Sequence, residues 1–255
     1  MDKDKTRQLV VVFSVLAALT VNVLANALPF NGQDTGEISD RFQVYFTPAG
    51  YVFAIWGLIF IGWGLLAVYQ ALPAQRENPR LRKTGYLFAL SGIFNAGWLF
   101  MWHYNLFPLT LVFMLTLLIL LVMVYLGLGI GQDDDVPLAE KVMVRVPVSV
   151  YLGWITVATI ANITTLLDYV LWGAWGISPE IWLALVLAAA LLVALVMTIT
   201  RKDAAYLLVL VWAFFGIWSK HSTVPLVATA ALTAVGAVAL MVIASLVMRA
   251  RKKTA

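Results

Sequence analysis

The run FPLTLVFMLTLLILLVMVYLGLGI, residues 107–130, contains no charged residue and no amide. A helix needs roughly 20 apolar residues to cross about 30 Å of hydrocarbon, so this stretch reads as a membrane-spanning helix. Seven further apolar runs flank it, near 9–28, 50–72, 85–103, 146–167, 181–200, 204–219 and 223–247. Together they predict an all-α, polytopic membrane helix bundle of about eight spans. The run at 204–219 is the shortest, and Lys202 and Lys220 at its ends are placed to snorkel to the two interfaces.

Composition agrees and excludes whole classes of function. Of the 255 residues 62% are hydrophobic and 12% charged, whereas a soluble globular domain is roughly a quarter charged. Ten Trp, nine Tyr and thirteen Phe exceed what is needed to anchor helix ends at the lipid interface, which leaves rings for other work. Cysteine is absent and there are two histidines, so disulfide, thiolate and His-rich metal chemistry drop out and no cofactor is required. A net charge of +4 would suggest nucleic acid in a soluble chain; here its distribution sets topology, and no nucleic-acid partner is expected.

With the N-terminus in the cytoplasm, the cytoplasmic segments hold Lys3, Lys5, Arg7, Arg76, Arg80, Arg82, Lys83, Lys141, Arg145, Arg201, Lys202, Arg249, Arg251, Lys252 and Lys253. Only Arg41 and Lys220 fall outside, so the positive-inside rule predicts cytoplasmic termini, an even number of spans and a multi-pass protein of the plasma membrane. The basic start and ANA at 25–27 resemble a signal-peptide pattern, but an apolar run of about 20 residues exceeds the 7–15 of such signals, and the first span is expected to be retained. The external stretch PFNGQDTGEISDRFQVYFTP at 29–48 is the longest loop, and the DDD run at 133–135 reads as a solvated loop.

Polar and aromatic residues inside the spans follow helical spacing. In FTPAGYVFAIWGLIFIGWG (46–64), a proline suited to a first turn precedes Tyr51, Ile55 and Leu58 on one face and Trp56 and Trp63 on another. Gly57, Gly62 and Gly64 are expected to admit a neighbouring helix. In the third span Asn95, Trp98 and Trp102 line one stripe, and the amide must find a partner away from lipid, whether a helix or a ligand. In the fifth span GWITVATIAN (153–162) places Trp154, Ala158 and Asn162 on one face: a ring, a gap and an amide. Thr156 and Thr159 are expected to bond back to their own helix, and His103 and His221 read as interfacial histidines. No span carries Asp, Glu, Lys or Arg at its centre, which disfavours ion-driven pumping. Rings with a few amides and no buried acid or base compose a pocket for a flat, mostly apolar ligand.

These residues resemble the tryptophan-rich sensory protein / translocator protein (TspO/MBR) family. PAGYVFAIW is similar to its Pro-x-x-Trp/Tyr-Val-Phe-x-x-Trp pattern, Asn95-x-x-Trp98 to its Asn-Trp-x-Trp, and WITVATIAN to its Trp-x-x-x-Ala-Thr-x-x-Asn. The resemblance covers residues 8–175 and implies a domain 1–175 of five helices, followed by three additional helices and a basic tail in 176–255. The added helices form either a further wall of the bundle or a replacement for the homodimer contact of shorter relatives. The resemblance also implies a porphyrin or other tetrapyrrole as bound ligand, with Tyr51, Trp56, Asn95, Trp98, Trp154, Ala158 and Asn162 as binding residues. Ala96 stands where the family often has Trp. Tyr169 lacks the downstream Lys or Arg of a sterol motif, and the reversed Lys83-x-x-Tyr86-x-x-x-Leu90 pattern does not establish sterol binding.

The expected function is therefore a non-enzymatic membrane protein that binds an apolar small molecule in a sensory or transport role. A small-molecule permease unrelated to tetrapyrroles is the alternative. A porphyrin-modifying enzyme ranks last, because no acid–base or metal constellation accompanies the rings.

Overall fold

The carboxylate of Asp2 accepts the backbone N–H of Asp4 and starts α1 (Lys3–Ala27), the first of the helices in this computed structural model. The structure describes residues 2–28, 30–133 and 135–254, with side chains to 251; Pro29 of the first loop, Asp134 of the DDD run and the side chains of Lys252 and Lys253 lie outside the described residues. The first loop carries α2 (Thr35–Asp40), closed by a capping box in which Asp34 accepts from Glu37 N–H and Glu37 accepts from Asp34 N–H.

A 3-10 segment, Gly50–Ala54, then leads into α3 (Ile55–Ala71). Pro48 thus stands before the helix instead of in its first turn. Asn78 caps α4 (Pro79–His103), and α5 (Phe107–Gly127) follows after a tight turn. A single turn, α6 (Leu138–Glu140), and a π-helical stretch, Lys141–Arg145, run into α7 (Val146–Tyr169). Ser178 caps α8 (Pro179–Thr200), Asp203 caps α9 (Ala204–Lys220), and α10 (Pro225–Thr254) ends the chain.

Six segments are long and apolar enough to cross a membrane: Lys3–Ala27, Gly50–Ala71, Phe107–Gly127, Leu138–Tyr169, Pro179–Thr200 and Pro225–Arg251. The more polar α4 and the 17-residue α9 complete the eight long helices among the described residues. The architecture is the all-α polytopic bundle expected.

Helices α1, α4, α5, α7 and α3 touch in that order and α3 returns to α1, so the first five long helices form a closed ring. Of the three glycines expected to admit a neighbour, only Gly62 does: a Cβ there would stand 2.9 Å from Pro147 of α7, whereas Gly57 and Gly64 face open space. The last three helices pack as their own group, with α9 and α8 both on α10, and meet the ring through α9 against α7 and the 3-10 segment. At that seam a Cβ on Gly216 would overlap Val52, and Trp212 Nε1 donates to the Val52 carbonyl at 3.0 Å.

Two buried polar features hold the end of the bundle that carries both termini. Arg7, counted from sequence as a cytoplasmic cation, is only 2% exposed; it donates to Asp4 and to the Arg76 carbonyl, and glycine at position 85 makes room for its stem. Glu140 is buried and accepts from Arg80 of α4 and from Arg145. Residues five apart do not face each other on an α-helix. The π stretch, whose Val146 N–H bonds to Lys141 O, brings Glu140 and Arg145 together. Asp133 of the acidic run is tied in as well, pairing with Arg80 at 3.3 Å.

Candidate functional site

The ring encloses a cleft at its outer end, between α2 and the middle of α7. Its inner part, about 50 Å³, is lined by rings: Phe53, Trp56, Trp98, Trp102 and Trp154. A wider, open part, about 580 Å³, shares Thr35, Phe53, Trp56 and Trp98 with it and adds Asn22, Asn26 and the acidic face of α2. The inner part alone has room for little more than water; the wider part falls within the range of roughly 300–1,000 Å³ typical of small-molecule sites.

Each wall follows from its local sequence. On α7 the ring, gap and amide face inward as their spacing predicts: Trp154, Ala158 and Asn162 all line the inner cleft, together with Val157, Ala161 and Thr165. Trp154 packs edge-on to Phe53 at 5.8 Å and to Trp56 at 6.2 Å. Trp56 stacks on Phe60, so α3 meets α7 through an aromatic seam that continues to Trp63 and Tyr151. On α4, Trp98 and Trp102 stack at 5.4 Å, one turn apart. Thr156 and Thr159 bond back to the Leu152 and Ile155 carbonyls, as expected of self-satisfied hydroxyls.

A polar chain runs behind the rings. Asn22 Nδ2 donates to Asn95 Oδ1 at 2.8 Å, joining α1 to α4. Trp98 Nε1 donates to Asn162 Oδ1 at 3.1 Å, and Asn162 Nδ2 donates to Thr110 Oγ1 at 2.8 Å, joining α4, α7 and α5. Buried amides are thereby paired across helices, as hydrocarbon surroundings demand. Several buried polar atoms lack a partner, among them the Trp63 Nε1 and the Tyr151 hydroxyl; in the cleft wall they are the Thr47 hydroxyl and the indole Nε1 of Trp154, a residue 3% exposed.

The first loop is tied across this end of the bundle. Trp102 Nε1 donates to the Thr35 carbonyl at 3.3 Å, and Asn31 donates to the His103 carbonyl. Arg41 reaches Asn105 Oδ1, and Lys220 reaches Asp40 at 2.6 Å. Tyr45 donates to Glu180 at 3.2 Å and lies edge-on to His221. Burial holds the His221 pKa below the ordinary imidazole value; the Lys220 charge acts the same way, and a backbone bond with Thr47 opposes both. His103 is wholly buried, its Nδ1 on the Leu99 carbonyl, where an interfacial position was expected.

Of the seven residues taken from sequence, Trp56, Trp98, Trp154, Ala158 and Asn162 line the inner cleft. Asn95 sits behind the wall as the partner of Asn22. Tyr51 turns away and is 43% exposed, edge-on to Trp212 at 5.4 Å, because its stretch is 3-10 and not α-helical. Sequence reasoning did not place Phe53, Thr110 or Asn22; Asn22 was the legible one, a lone amide within the first apolar run. Trp102 had been placed on the same stripe as Trp98, and the structure adds it to the wall. Among the described residues no group of three or more His, Asp or Glu side chains is placed to hold a metal ion.

The model of a family described as TSPO-like protein matches residues 8–244, from α1 into α10. No curated protein matches, and no solved structure does.

Proposed function

The chain belongs to the TSPO-like protein family, and on that premise we propose that it binds a flat, largely apolar ligand of the tetrapyrrole class in the aromatic cleft of the five-helix ring. Its role is sensory or transport, without catalysis of a reaction, in a plasma membrane with both termini cytoplasmic. The observation that carries this reading is Trp154. A buried indole N–H without an acceptor costs about 1–3 kcal/mol, and this one stands in the cleft wall beside the rings of Trp56, Trp98 and Trp102. A planar ligand with polar edges would gain ring contacts and supply the acceptor. The orientation is supported by Arg7, Arg80, Arg145 and the Arg76 carbonyl meeting at the end of the bundle that holds the termini.

The test is intrinsic tryptophan fluorescence of the purified protein titrated with protoporphyrin. Saturable quenching, weakened in Trp154→Ala, is expected; quenching that never saturates overturns the reading. Uptake of the same porphyrin into proteoliposomes then separates transport from sensing.

A further inference from the structure

At the opposite end from the aromatic cleft, a cavity of about 360 Å³ opens where α7 and α9 begin and α10 ends. Its wall holds Lys141, Arg145, Arg249 and one carboxylate, Asp203. That carboxylate is fully occupied: Oδ2 accepts from Tyr125 at 2.8 Å and Ser149 at 2.6 Å, and Oδ1 accepts from the backbone N–H groups of Ala205 and Tyr206. Glu140 behind the wall is likewise engaged by Arg80 and Arg145. Among the described residues, three cations and the one engaged carboxylate, Asp203, line the cavity.

Two guanidinium nitrogens remain. Arg145 is 5% exposed; its guanidinium pairs with Glu140 and, at 3.9 Å, with Asp133, while its Nη2 has no hydrogen-bond partner. Arg201 is not part of the lining: its carbonyl abuts Gly131 of the wall, its guanidinium lies over the Tyr125 ring, and its buried Nη1 has no partner. Leaving cationic donors buried and unpaired is costly. On the side facing away from the ring the same cavity is bounded by Val146 and Leu208, both exposed apolar side chains that stand where lipid tails would lie.

We propose that this cavity binds a phosphate group, that of an anionic membrane lipid whose headgroup contacts Lys141, Arg145 and Arg249 while an acyl chain runs over Val146 and Leu208. Basic pockets between helices at the cytoplasmic face suit such headgroups. The same phosphate chemistry could come from a soluble phosphate, which the experiment separates.

Detergent-solubilised full-length protein is titrated with phosphatidylglycerol, with phosphatidylcholine and with inorganic phosphate, and binding is read by thermal unfolding and by native mass spectrometry. Saturable stabilisation by phosphatidylglycerol and none by phosphatidylcholine is expected. Lys141→Gln and Arg249→Gln each weaken it about five-fold, following the value of one charge at a lipid surface. Lys83→Gln, an exposed cation on α4 outside the cavity, removes the same charge and leaves the affinity unchanged. Saturable protection by phosphate alone supports the site with a soluble occupant. No discrimination between the two lipids and no effect of phosphate overturns the proposal, as does equal weakening by Lys83→Gln.

Discussion

Trp98 and Asn162 face each other across the cleft wall, the indole Nε1 donating to the amide Oδ1 at 3.1 Å while the amide's own N–H reaches Thr110. One side chain therefore ties α4, α5 and α7. Asn162→Leu keeps the volume and strands the indole donor, and we expect a loss of about 1–3 kcal/mol in equilibrium unfolding in mixed micelles. An unchanged unfolding midpoint would show that the amide ties nothing.

Trp154→Phe separates ring from donor. The phenyl ring keeps its contact with Phe53 and Trp56 but removes an N–H that has no acceptor. Apo stability should hold or rise, while porphyrin affinity falls by the worth of one hydrogen bond, roughly two- to ten-fold. Equal affinity in the two proteins would place the ligand's polar edge elsewhere.

Ala158 is the gap between ring and amide on α7 and lines the inner cleft. In Ala158→Phe the added ring occupies ligand space, so binding should fall more than ten-fold, with overpacking costing about 1–3 kcal/mol in unfolding. Undiminished quenching by porphyrin would mean that the inner cleft is not where it binds.

Gly216→Ala tests the seam between ring and added helices. The new methyl overlaps Val52, a wholly buried β-branched residue in the 3-10 segment that shapes the cleft, and sits 3.1 Å from Pro48. Overpacking of this kind costs about 1–3 kcal/mol. A thermal scan with no downward shift would show the seam to be loose.

Acid should loosen the first loop. His221 has a folded pKa below its unfolded value, so the unfolded chain binds more protons as pH falls. Its contribution is complete above about pH 6.5, the ordinary imidazole value, and is lost as pH falls through that value toward the lowered one. His221→Gln should flatten the pH dependence of thermal stability in that window; an identical slope would assign it to another group.

Much of this molecule was legible because hydrocarbon imposes simple demands. Helix-length apolar runs had to be spans, and an amide at position 95 or 162 had to find a partner. What failed to show was finer geometry. Tyr51 was assigned to the α-helical face at 3.6 residues per turn, but its segment winds at about three per turn, which turns the ring toward Trp212. Gly57 and Gly64 differ from Gly62 only in which side of α3 meets Pro147, and no sequence pattern marks that. Arg7 looked like any cytoplasmic cation, since its burial depends on a carbonyl 69 positions away.

The π stretch at Lys141–Arg145 also fixes a phase. One inserted residue advances a helix by about 100°, so the face that α7 turns to the cleft is set by an extra residue upstream of Trp154. Deleting Val142 would convert the stretch to ordinary helix and leave α7 two choices: to keep Trp154, Ala158 and Asn162 inward and part Arg145 from Glu140, or to keep the ion pair and turn the binding face aside. A length change of one residue outside the cleft thus carries more consequence for it than most substitutions inside.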